Sequence, residues 1–156
     1  MIFSLEIDLV KTILFLLAAI FPVLSLLQKK IIVHYRIFIV NILFIHLVLL
    51  IIITFKLHHY LRDELNIPNT ITYLFGTIPF IILFINHKAL LKSQETIFLI
   101  ISIILLGVAV SLDLLSDGKI IVIYNSDFIE EIFRIAGAFC WLIYNYFLFI
   151  RIKRLK

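Results

Sequence analysis

Six ionisable residues lie inside or at the edge of long apolar runs: Asp8, Lys11, Asp113, Glu130, Glu131 and Arg134. A charged side chain at the centre of a membrane helix costs about 2.5–3.5 kcal/mol on insertion scales, and less near the ends. Such groups therefore turn toward one another or toward a polar cavity, where they can handle protons or ions or form a receptor surface. Glu130 and Arg134 are spaced i,i+4 with the acid first, the favourable order for a helical pair. We expect Asp113 or Glu130 to pair with Arg134, with Asp8 and Lys11 completing the cluster. The same groups equally suit a structural role, fixing helix register.

At about 100° per residue, Glu130, Arg134, Gly137, Trp141 and Asn145 fall on one stripe. Gly137 on that stripe would let another backbone approach closely, as small residues do where membrane helices meet. Ser102, Ala109, Asp113 and Ser116 line up on the preceding segment, small residues leading to a carboxylate. These two stripes should face the interior. Acids at Asp127, Glu130 and Glu131 also suit the positive end of a helix dipole.

Weaker signals lie elsewhere. Asn41 and His46 sit deep in the second apolar run; Asn41 shares a face with His34, and His46 is turned about 120° away from it. That geometry opposes a two-histidine haem site and leaves interhelical hydrogen bonding. His58, His59, Asp63 and Glu64 cluster after the same run, where His59 and Asp63 at i,i+4 are candidate metal or pH-sensing residues. A solvated interfacial segment is the plainer reading. Trp141, Tyr144 and Tyr146 lie mid-span, which argues for contacts with helices or a partner subunit rather than an aromatic belt. No GxSxG, HExxH or nucleotide loop is present, and no serine has an evident base beside it, so no catalytic residues are assigned. A lone cysteine, Cys140, supports neither a disulfide framework nor a multi-cysteine zinc site. No cofactor is expected.

The elements that position these residues follow from composition. Of 156 residues, 63% are hydrophobic and 15% charged, with mean hydropathy +1.18. Soluble domains carry about 25% charged residues, and so short a chain cannot hide this much apolar surface in a core. Lipid must be the solvent. Five runs approach the roughly 20 apolar residues that a spanning helix needs: 7–27, 31–55, 70–86, 96–115 and 128–150. The third is the shortest and contains Gly76 and Pro79, so a re-entrant course is the alternative there. A β-barrel would need alternating polarity, which these runs lack. The first run lacks a positive leading region and a small-residue cleavage site, so it is expected to be retained.

Lys29, Lys30, Arg36, Lys88, Lys92, Arg151, Lys153, Arg154 and Lys156 share one side if all five runs cross. Of the acids only Glu95 joins them. By the excess of Lys and Arg in cytoplasmic loops, that side is cytoplasmic and the N-terminus outside. The basic tail suits anionic headgroups, and nothing calls for nucleic acid.

The stretch from Asp113 through Glu130, Glu131, Arg134 and Gly137 resembles the closing helix pair of small bacterial sensory membrane modules. The likeness carries no residue assignment. The sequence thus predicts one all-α, polytopic helical bundle over residues 1–156 in a bacterial inner membrane. It points to a non-enzymatic sensing or interaction subunit, working with another membrane protein or a second copy of itself. The alternative is a homo-oligomeric proton or cation channel, or pore-type effector, since rings of Asp or Glu select cations.

Overall fold

A computed structural model describes residues 2–28, 31–54, 57–117 and 126–154. Lys29, Lys30 and Lys156, which enter the charge argument, lie outside them, as do the side chains of His58 and Ser116.

The described residues are helical, without strands. They form α1 (Ile2–Leu26), α2 (Val33–Leu49) running into a π-helical turn at Leu50–Thr54, and the short α3 (Leu57–Leu65). α4 (Asn69–Asn86), a 3₁₀ turn at Leu90–Lys92, α5 (Thr96–Asp117) and α6 (Ser126–Arg154) follow. Among them, five helices are long and apolar enough to cross a membrane: Glu6–Leu26, Val33–Ile53, Asn69–Asn86, Thr96–Leu115 and Ser126–Arg154. Hydrocarbon offers no partner for a free N–H or C=O, so each apolar segment satisfies its backbone internally as a helix. Pro22 and Pro79 are accommodated within α1 and α4.

Two boundaries differ from the sequence expectation. The 57–65 segment is a helix rather than a loop, stopped at Asn66, whose φ of 53° is the left-handed conformation that asparagine tolerates. Pro68 then precedes α4. α6 is longer than 128–150 at both ends. Its 29 residues span about 43 Å at the α-helical rise, so both termini reach past a hydrocarbon layer of about 30 Å. Asp127 in the first turn and Arg151, Lys153 and Arg154 in the last complement the helix dipole there.

α6 is the organising element and packs most extensively against α5 and α1; α2 bridges α1 and α4. Phe15, Ile42, Leu99, Ala138, Trp141 and Leu148 are buried between them. Outward, Leu16, Ile20, Phe44, Phe75, Ile104 and Phe139 are exposed. A surface this apolar is unfavourable in water and suits lipid. The α5–α6 contact is close: Ser102 Oγ donates to the Gly137 carbonyl (2.8 Å), and a Cβ on Gly137 would stand 2.8 Å from the Leu106 side chain.

Candidate functional site: a buried charged network

The beginnings of α1, α4 and α6 and the end of α5 meet at one end of the bundle. Lys11, fully buried on α1, binds Asp8 one turn back (2.8 Å) and Glu131 on α6. Glu131 also takes a longer contact from Arg134 (3.4 Å), and Arg134 is paired with Glu130. The chain of contacts thus runs Asp8–Lys11–Glu131–Arg134–Glu130, from α1 to α6. Residues three and four apart on a helix are neighbours, which is why Asp8 reaches Lys11 and why Glu130 and Glu131 both reach Arg134.

Asp113 joins from α5. Its Oδ2 accepts a hydrogen bond from the Tyr73 hydroxyl of α4 (2.5 Å), and it lies within electrostatic reach of Glu130. Nothing in the spacing of the apolar runs pointed to Tyr73. The available signal was a phenol one turn into the third run, at the end where the other charges collect. Asp113, Glu130 and Arg134 are all buried. Low dielectric strengthens such pairs and makes an unpaired member costly. Asp8, Asp113, Glu130 and Glu131 set four carboxylates against two bases, Lys11 and Arg134.

Below the network the interior stripe of α6 continues through Gly137 to Trp141 and Asn145, both buried. The Trp141 indole N–H donates to His46 Nδ1 on α2 (2.9 Å), and the two rings lie 6.4 Å apart, nearly parallel. Asn145 Nδ2 donates to the Trp141 carbonyl (2.7 Å). Asn41 Nδ2 donates to His87 Nε2 just beyond α4 (2.8 Å). Phe15, Ala18, Ile42, Ile45 and Leu148 fill the space around this middle layer.

At the opposite end of α6, Arg151 donates to Glu95 Oε1 (2.9 Å), the Leu90 carbonyl (3.1 Å) and the Tyr35 hydroxyl (3.1 Å). Its guanidinium also stands over the Tyr35 ring at 5.6 Å. The sequence reading placed Arg151 with the headgroup-anchoring tail; Glu95, alone among the acids on the basic side, was the clue to a partner.

The His58, His59, Asp63 and Glu64 group falls on α3. Arg62 donates to His59 Nδ1 (2.9 Å) and pairs with Asp63 (3.0 Å), and Asp63 and Glu64 are exposed. Among the described residues no three His, Cys, Asp or Glu side chains are grouped to hold a metal ion. Compared with known proteins, the chain matches no family model, no curated protein and no solved structure.

Proposed function

We propose that this chain is a non-enzymatic sensing or interaction subunit of a bacterial inner membrane, N-terminus outside and C-terminus in the cytoplasm. Its responsive element is the network of Asp8, Lys11, Asp113, Glu130, Glu131 and Arg134. The observation that carries this reading is that Lys11, Asp113, Glu130 and Arg134 are buried at one end of the bundle, with Asp8 and Glu131 partly exposed, and backed by a filled apolar layer. A closed site rich in carboxylates responds to what reaches it from its own side: protons, a cation, or a basic group of a partner membrane protein. The excess of Lys and Arg at the other end supports an outward-facing network.

Arg134 and Trp141 lie two turns apart on the same stripe of α6, so on this reading Trp141 reports on the network. The test follows emission of Trp141, the lone tryptophan, in vesicles as external pH and cation concentration are varied. A reversible change in the wild type, lost in Asp113→Asn, supports sensing at the network. A wild type that does not respond counts against it.

A second reading, conduction by an oligomer, is favoured by one feature. α6 carries polar groups at both ends and in the middle, through Arg134, Asn145 and Arg151. It requires a path that Phe15, Ile42 and Leu148 fill within one copy.

A further inference from the structure

The end of the bundle opposite the network is built around one residue. Arg151 donates to the Tyr35 hydroxyl near the start of α2, to the Leu90 carbonyl, and to Glu95 just before α5. It thereby holds three segments together: the first turn of α2, the 87–95 return and the last turn of α6. His87 adds a second tie between the return and α2, through Asn41. Each of these segments carries exposed bases: Arg36 on α2, Lys88 and Lys92 on the return, Lys153 and Arg154 on α6.

The two ends differ in how their bases are satisfied. At the network end Lys11 and Arg134 are buried and bound to carboxylates, and Arg62 of α3 pairs with Asp63. At the Arg151 end Glu95 is the only acid among the described residues, and Arg151 engages it. None of the five exposed bases pairs with a carboxylate among the described residues. Held together by one knot, they form a positive face that attracts anions from outside the chain.

Depth selects the anion. Arg36 lies in the first turn of α2, Lys88 just after α4, Lys92 shortly before α5, and Lys153 and Arg154 at the end of α6. These are ends of helices long and apolar enough to cross a membrane, which sets the charges at headgroup level. Long Lys and Arg side chains reach that level with their apolar stems still in the bilayer. The phosphate of an anionic lipid is the negative group met there all around the bundle.

We propose that the Arg151 end is a binding face for anionic phospholipid headgroups, assembled jointly from α2, the 87–95 return and the end of α6. The face reaches well beyond the basic tail. The inference does not rest on the sensing reading, because the network lies at the other end of α6 and need not respond for these bases to hold lipid.

The experiment measures association of spin-labelled phosphatidylglycerol and spin-labelled phosphatidylcholine with the full chain in phosphatidylcholine vesicles, from the motionally restricted fraction of each label. Label in both leaflets makes the readout independent of the direction of insertion. The glycerol lipid should associate about fivefold more strongly, the step expected for one base engaged by an anionic headgroup. High salt should weaken that preference. Lys88→Gln/Lys92→Gln and Lys153→Gln/Arg154→Gln should each lower it, and the four-residue variant should bring the two lipids close to equal. All four side chains are exposed, and helicity and Trp141 emission report that the variants are folded. Inorganic phosphate, compared with chloride at equal ionic strength, should leave the preference unchanged.

Equal association of the two lipids with the wild type, or a preference kept by the folded four-residue variant, overturns the proposal. A loss confined to the Lys153/Arg154 pair contradicts a shared face and returns the property to the tail. Loss of the preference to inorganic phosphate overturns the lipid assignment in favour of a soluble phosphate group.

Discussion

On α6, Arg134 and Arg151 are fixed at opposite ends of the bundle, each by carboxylate. Arg134 is held by Glu130 and Glu131 of its own helix, and Arg151 by Glu95 just before α5 (2.9 Å). At the helical rise they stand about 26 Å apart, close to the roughly 30 Å of a hydrocarbon layer. One helix thus carries a charge lock near each of its ends. Between them it presents Gly137, Trp141 and Asn145 to its neighbours.

Lys11 is the buried cation that joins α1 to α6. Lys11→Met leaves Glu131 without it and should destabilise the bundle by about 3–5 kcal/mol, the usual cost of breaking one side of a buried pair. The double variant Lys11→Met/Glu131→Leu removes both charges and should recover most of that loss. Unfolding in mixed micelles, followed by helicity, reads the difference. An additive double variant would mean that the pair is not coupled.

Tyr73→Phe deletes only the hydroxyl that reaches Asp113. The expected loss is about 1–2 kcal/mol, because a hydrogen bond to a carboxylate is stronger than a neutral one while bonds within membranes tend to be worth less. A Tyr73→Phe protein as stable as the wild type would place the hydroxyl outside the network's energetics.

Gly137→Leu drives a side chain into Leu106 and should cost about 1–3 kcal/mol by overpacking. Pairing it with Leu106→Ala should restore part of the loss if the contact is the one described. Gly107→Leu, with open space before it, should be close to neutral in the same assay.

Which parts were legible in the sequence follows from the kind of signal. Apolar run length depends on lipid thickness alone, so five membrane-length helices could be read without knowing their neighbours. The i,i+4 relation of Glu130 and Arg134 is likewise local to one helix. Tyr73 with Asp113, Trp141 with His46 and Arg151 with Glu95 depend on which helices become neighbours, and run length says nothing about that. The helix at 57–65 was hidden because its polar composition suits a loop as well as an interfacial helix. Tertiary packing and the Asn66 stop decide its form.

Acid should loosen the end that holds His87. Burial, and then the charge of His34, hold the His87 imidazole below its ordinary range, and its Nε2 accepts from Asn41 only while neutral. The folded state therefore binds fewer protons than the unfolded one. Stability from this group is complete above the unfolded value of about 6.5 and falls as pH drops through it. His87→Gln, which can still accept from Asn41 but does not titrate, should flatten that part of the unfolding midpoint's pH profile. An unchanged profile would assign the acid sensitivity elsewhere.

The most direct test of the central claim is proton and cation flux into liposomes carrying the purified protein, with Asp113→Asn and Arg134→Ala measured beside it. A closed sensing network predicts that the folded wild type conducts no more than empty liposomes and that neither variant differs from it. Flux through the wild type that disappears in either variant would contradict this account and make the network part of a conduction path.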